Sequence, residues 1–446
     1  MKTKNNKIRS LLLALAALVL AFSLIEPAKA GSFSYTGAMN TPRTDHTATL
    51  LANGIVLITG GDNNISPDLA SAELYNPATG TWTNTGSMTQ TRLAHSAVLL
   101  RNGKVLVAGG AGHDSNSGML ASAELYDPVT EIWTQTGSMH VPRYVDYSAT
   151  LLANGMVLVA GGTPDDGVTP LSEAELYNPS TETWTQTGSM SSGRFYHATT
   201  LLPNGKVLVT GGIGGLNSAE LYDPLTETWT SAGTLMTNRA QHIAVVLTNG
   251  MVLVTGGSRD GSAELFNPAT GMWTNTGAMT TARSFPSASL LPNGKLLVAG
   301  GYNGNGPTNS AELYDPVSGT WKATGTLNDG GYIRLAALLT NGLVLVVGGS
   351  GEANVLSSAE LYDPAPGTAT TIVLSNPAAL PDGAFQFGFT NTSGVSFSAL
   401  TTTNLALPLT NWTLLGNVTE IAHGQFQFTD PEALNYPQRF YRIRSQ

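Results

Sequence analysis

Short apolar runs recur along the chain, each bounded by glycine, proline or asparagine. From His46 the run H-T-A-T-L-L-A reaches Asn53-Gly54, and I-V-L-I-T then leads to Gly60-Gly61. Strands that are apolar at nearly every position are expected where both faces of a sheet are covered. Asn-Gly between two such runs signals a type I′ hairpin, because both turn residues need positive φ. After a gap come A-E-L-Y, an Asn/Asp-Pro turn and a strand carrying Trp82. The pattern predicts a four-stranded antiparallel meander, with strands A to D in chain order.

The meander repeats. Gly-Gly begins at Gly60, Gly109, Gly161, Gly211, Gly256, Gly300 and Gly348, and the Glu of strand C falls at Glu73, Glu124, Glu175, Glu220, Glu264, Glu312 and Glu360. A single meander cannot hide two apolar faces, but meanders stacked radially cover one another. An all-β ring of seven blades follows. Trp stands in strand D six times, and the seventh unit has Ala369 where Trp is due. Aligned on T-G-x-M, the N-terminal G-S-F-S-Y-T-G-A-M puts Phe33 in that place. Residues 32–39 are therefore expected to complete blade seven, with Thr370 to Leu374 as the alternative.

Gly-Gly, a Tyr some fifteen residues on (Tyr75, Tyr126) and a Trp seven beyond it (Trp82, Trp133) match the Kelch repeat. Over residues 31–368 the chain resembles bacterial Kelch propellers, including the propeller domain of galactose oxidase. The resemblance implies a seven-bladed β-propeller and says little about the ligand. Tyr196-His197 resembles the adjacent Tyr-His copper ligands of galactose oxidase. That enzyme also needs a Cys cross-linked to Tyr, and this chain has no Cys, so its radical chemistry is excluded.

The two ends differ from the ring. Lys2, Lys4, Lys7 and Arg9 precede an apolar run from Leu11 to Ile25 and then Ala28-Lys29-Ala30, the pattern of a secretory signal peptide. Residues 1–30 are read as that signal, cleaved after Ala30, giving a secreted or extracytoplasmic product without a membrane span. Cleavage removes five of 21 basic and one of 30 acidic residues, leaving a charge of −13. Such a charge disfavours nucleic acid, which needs a basic footprint. Residues 369–446 alternate apolar and polar positions, as at Phe385, Phe387 and Phe389, and read as a small antiparallel, β-sandwich-like domain. This segment resembles a C-terminal module of exported proteins of the Verrucomicrobia type.

In a repeat protein, residues present in every copy serve the scaffold, and function breaks the symmetry. Arg43, Arg92, Arg143, Arg194, Arg239 and Arg283 precede strand A, and unit 7 has Gly331 there. Strand direction places them on the rim that also holds the B–C loops and the strand C Glu. Arg–Glu pairing is the economical reading, and a cationic binding ring is the alternative. His46, His95, His197 and His242 open strand A, replaced elsewhere by Tyr147, Pro286 and Arg334. They are read as rim residues bonded to backbone, rather than as a metal site. The B–C loops of units 1 to 3 are long and carry Asp62, Asn63, Asp68, His113, Asp114, Asn116, Asp165 and Asp166. None fits the calcium-loop pattern; no cofactor is expected, with calcium left open.

The residue before the strand A position varies: Asp45, Ala94, Asp146, Tyr196, Gln241, Phe285 and Ile333. Long loops over Asp45, Asp146 and Tyr196 should form a wall, and a depression off the axis should be lined by Tyr196, His197, Gln241, His242, Phe285 and Arg334. Tyr196→Ala or Arg334→Ala is expected to weaken binding without much loss of stability. The function expected is an exported, monomeric binding module for a protein, glycan or extracellular polymer. A sugar epimerase or mutarotase at the same rim, and a structural adhesion or surface-layer component, are the alternatives.

Overall fold

In the computed structural model of the protein, the repeated meanders form seven four-stranded antiparallel sheets among the described residues. Those residues are 31–64, 68–112, 118–145, 147–165, 169–214, 217–364, 375–380, 384–390, 397–403, 413–422, 425–435 and 439–445. The signal segment, Asp146, the loop residues His113, Asp114, Asn116 and Asp166, and Thr370 to Leu374 lie outside them. The chain divides into two compact units between residues 365 and 366. Among the described residues no helix is long and apolar enough to cross a membrane.

Blade 1 pairs Thr47–Leu50, Val56–Thr59, Ala72–Asn76 and Thr81–Thr85 in that order. Strand B is buried at every position in all seven blades, as its unbroken apolar sequence requires. Blade 7 takes three strands from the end of the ring, Leu335–Leu338, Val344–Val347 and Ala359–Asp363, and its fourth from the start, Ser32–Tyr35. Phe33 faces Tyr362 in register, their rings 4.8 Å apart, as Trp82 stands 4.9 Å from Tyr75 in blade 1. The N-terminal strand thus closes the circle.

The apolar core is shared out between blades. Leu57 and Ala72 of blade 1 meet Val105, Val107 and Tyr126 of blade 2, and the ring closes where Ile58 and Tyr75 meet Leu345 and Val347. Each such buried Leu, Ile or Val side chain contributes about 1.5–3 kcal/mol. Polar atoms at the blade edges are also matched across the gap. Tyr126 bonds Thr85 through its hydroxyl, and the Trp133 indole donates to the Gly86 carbonyl. Phe266 of blade 5 fills the Tyr place without the hydroxyl.

The A–B hairpins differ from the expected type I′ turn. Gly54 has φ 82°, but Asn53 is absent from the left-handed residues. Gly54 N–H donates to Leu51 O and Leu51 N–H to Ile55 O. The loop is Ala52-Asn53-Gly54, one residue longer, which suits an ordinary turn followed by a left-handed glycine. Asn53 instead accepts the Ile55 N–H through its side chain. Its equivalents do the same in every blade.

The second unit holds one sheet of Ser375–Ala379, Phe385–Thr390, Gln425–Asp430 and Thr419–Ala422, and another of Thr413–Asn417, Phe397–Thr402 and Phe440–Ser445. Phe389 and Phe426 of the first stack at 5.2 Å and meet Phe397 of the second edge-on. That is a small sandwich core.

Candidate functional site

The rim that carries the B–C loops rests on one joint repeated around the ring. Seven Arg–Glu pairs lie between 2.6 and 3.1 Å, nearly all with both partners almost wholly buried. In blade 1, Arg43 also donates to the carbonyls of Gly60 and Ser71, while Glu73 accepts the N–H groups of Asn40 and Thr41. Each pair therefore ties the D–A connection to the B–C loop, with most of its hydrogen-bonding capacity used internally and only the Nε of Arg143, Arg194 and Arg334 left without a partner among the described residues. A buried pair is tolerated on those terms. The repeat arginines are committed to this frame, so they do not form a cationic ring.

Arg334 needs a correction. Unit 7 lacks the usual Arg, and Arg334, three residues later, reaches Glu360 at 3.0 Å and donates to the Asp329 carbonyl. It borders the cavity described below but also replaces the repeat Arg. Arg334→Ala would therefore cost stability, contrary to the sequence expectation.

Gly-Gly is required by close approach between blades. The second glycine donates its N–H to the next blade's Arg carbonyl, as from Gly61 to Arg92, and the ring closes from Gly349 to Arg43, both at 2.8 Å. A Cβ on Gly60 would clash with the Arg92 carbonyl oxygen of the next blade. The histidines belong to the same joint. His95 bonds Thr47 and Thr59 of blade 1, His242 bonds Thr210 of blade 4, and His197 bonds Ser148 of blade 3. These three partners are hydroxyls of the preceding blade, backbone of the joint also lies against the rings, and His46 has no hydroxyl partner. Burial, aided by the nearby arginines, lowers His46, His95, His197 and His242 to about 3. Tyr147 takes the place in blade 3 and reaches Ser96 and the Ala108 carbonyl.

These imidazoles lean into separate blade junctions. Among the described residues no three His, Asp or Glu side chains gather as a metal-holding group. His197 is committed to Ser148, so the Tyr196-His197 pair does not fit a copper centre of the galactose oxidase kind.

Above the joint, one non-glycine residue per blade is left-handed: Asp45, Ala94, Val145, Tyr196, Gln241, Phe285 and Ile333, with φ between 48° and 61°. This conformation costs of the order of 1–3 kcal/mol per residue and clusters at functional sites. It permits backbone bonds between neighbouring blades, from Ala94 to Asp45, Gln241 to Tyr196 and Phe285 to Gln241. Blade 3 corrects the sequence alignment. Arg143 is followed by one extra residue, Val145 takes the left-handed place, and Asp146 is the insertion.

Four of these residues surround a cavity of about 280 Å³. Tyr196, His197, Gln241, His242, Phe285 and Arg334 come together there with Tyr147, Pro286, Ile333 and Leu335. Blades 3 to 7 contribute and blades 1 and 2 do not, so the cavity lies to one side. Asp45 is outside its lining. Burial raises Asp45 to about 6, with Asp62 and Asp68 adding to the rise against a lowering contact from Thr44.

Two aromatic residues escaped the sequence reading. Rings run from Phe195 to Tyr196, Phe285, Tyr332 and Tyr302, with successive centroids 5.3, 5.4, 6.3 and 5.8 Å apart. Tyr332 follows Gly331 and Tyr302 follows Gly-Gly of unit 6. Their signal was present as a Tyr directly beside a joint glycine, in loops of unremarkable length.

Comparison with known proteins agrees with this geometry. A model of the KLHDC2/KLHL20/DRC7 Kelch-repeats domain matches residues 25–212, and the Kelch motif matches 194–236 and 285–328. The fold is a Kelch β-propeller. An F-box/kelch-repeat protein of Arabidopsis thaliana is 37% identical over 99 residues, 22% of this chain and 25% of its own. Kelch-like protein 23 of Homo sapiens is 30% identical over 95 residues, 21% of this chain and 16% of its own. The chain thus matches a quarter or less of these relatives' length. A fungal alcohol oxidase of the AA5 family, solved in complex with copper, superposes with a TM-score of 0.63 at 18% identity. That match covers 94% of this chain and 96% of the oxidase, and the likeness is one of fold.

Proposed function

We propose that the protein is an exported binding module. Its Kelch propeller would hold a macromolecular ligand on the rim of B–C and D–A loops, centred on the cavity beside Tyr196, Gln241 and Phe285. The observation that carries this reading is the ring of left-handed positions. Seven residues share one strained backbone conformation and one place on the rim, yet no two are alike. A scaffold role would favour glycine there, whereas recognition explains varied side chains. Kelch repeats generally serve protein–protein interaction, which supports a binding role over catalysis. Secretion rests on the charged, apolar and small-residue order of residues 1–30.

Asp45 is the one observation that favours an enzyme: a carboxyl raised to about 6 with no arginine partner. It stands apart from the cavity lining, and the cavity's histidines are held neutral within the blade joints. The binding reading is therefore preferred. Glycan and peptide arrays probed with the protein and with Phe285→Ala test it. Selective binding that Phe285→Ala weakens supports the proposal. Turnover of a bound sugar, abolished by Asp45→Asn, would replace it with the enzymatic reading.

A further inference from the structure

A second and larger depression, about 580 Å³, opens on the same rim between blades 6 and 7. Amides and carboxylates line it: Asn303, Asn309, Asn328 and Asn354 with Asp329 and Glu352. No Lys or Arg lines it. The Asn303 side-chain oxygen is engaged in its own loop, where it accepts the N–H groups of Asn305 and Gly306. Asn328 bonds Glu360, and Asp329 accepts from the Tyr35 hydroxyl. The side chains of Asn309, Asn354 and Glu352 are exposed and bond nothing within the described chain. They offer donors and acceptors together on two facing walls.

The aromatic row ends on the segments that lead into this cleft, although neither Tyr302 nor Tyr332 belongs to its lining. Tyr302 bridges Pro307 on one wall, and Tyr332 bridges Ser350, which leads to the other. Tyr302 is 41% exposed, and its ring meets Tyr332 edge-on. An aromatic platform beside paired amides suits a ligand with apolar C–H faces and many hydroxyls. The exposed Glu352 carboxylate, with no Lys or Arg in the lining, disfavours an anionic one.

We infer that the cleft between blades 6 and 7 binds a neutral polysaccharide. Its hydroxyls would bond Asn309, Asn354 and Glu352 within the cleft, and a further sugar unit leading out of it would meet the exposed ring of Tyr302. The inference rests on the proposed binding rim and adds the ligand class. The cleft and the Tyr196 cavity share no lining residue, so the two claims can fail separately.

The test is calorimetric titration of the full protein with cello-, xylo-, manno- and maltohexaose, and with an oligogalacturonate of the same length as the anionic control. At least one neutral hexasaccharide should bind, and oligogalacturonate should not. Asn309→Ala with Asn354→Ala should weaken that binding at least about tenfold, the worth of one or two hydrogen bonds. Tyr302→Ala should weaken it as well, with the melting temperature unchanged because these side chains are exposed. Tyr196→Ala with undiminished hexasaccharide binding would support the cleft while counting against the cavity. The inference is overturned if no neutral hexasaccharide binds, if the double variant binds as the wild type does, or if oligogalacturonate binds equally. Capture of a peptide from an array through Asn309 and Asn354, without any sugar binding, would also overturn it.

Discussion

The two rims of the propeller are turned by the same strands and differ in what they repeat. On the A–B rim every blade carries the same three-residue loop, with a left-handed glycine and an Asn that caps it. On the other rim only the lower layer repeats: Gly-Gly and Glu in all seven blades, and Arg in six, with Arg334 standing in for it in the seventh. Above it, side chains change from blade to blade while the backbone conformation persists. The comparison teaches that symmetry here marks what is internally satisfied. Most repeated polar groups find partners inside the chain, with His46 at the closing junction an exception, whereas unrepeated ones such as Asn309 and Asn354 bond nothing within the described chain.

Acid should separate the layers most strongly. Four histidines have folded pKa values lowered from 6.5 to about 3. Below pH 6.5 the unfolded chain takes up protons that the folded chain refuses. Their stabilisation is therefore complete above pH 6.5 and is lost as pH falls toward 3. The loss is about 1.4 kcal/mol per pH unit for each histidine. Asp45 acts in the opposite sense, since its raised pKa lets the folded chain bind a proton first between about 6 and 3.8. The net slope remains that of about three histidines. Chemical denaturation followed from pH 7 to 4 should show the midpoint falling steeply, and a flat profile would mean that the histidines are solvated.

Removing one arm of the joint comes next. Arg92→Ala leaves Glu124 buried without its cation and should cost about 3–5 kcal/mol. Urea unfolding measures it, and a cost below that of an exposed pair would deny that the joint holds the ring. A smaller effect is expected on the uniform rim. Gly103→Ala forces a Cβ into a backbone with φ 84° and should cost about 1–2 kcal/mol in the same assay. Ligand binding should be unaffected.

Much of this frame could be read from the chain. Seven Gly-Gly doublets and an orphan Phe33 fixed the blade number and the closing strand, because both follow from counting. The Arg–Glu pairs followed from strand direction alone. Three things did not. The blade 3 insertion is invisible without the backbone, since Asp146 aligns as well as Val145 does on sequence. Arg334 looked free because it sits off the repeat position, yet a long side chain can reach Glu360 from three residues away. Tyr302, Tyr332, Asn309 and Asn354 come from different blades, and only closure of the ring brings blade 6 against blade 7. The longest loops belong to units 1 to 3, whereas the cleft is built by blades 6 and 7.

The central claim is that the unrepeated rim is the binding surface. It is tested most directly by measuring ligand affinity and melting temperature together for Tyr196→Ala with Phe285→Ala, and for Gly103→Ala, using a ligand selected on the arrays. The account predicts that the double variant loses affinity at least about tenfold while its melting temperature stays near that of the wild type. Gly103→Ala should do the reverse, melting earlier and binding normally. Undiminished binding by the double variant, together with loss of binding in Gly103→Ala at a temperature where it remains folded, would place the binding surface on the other rim.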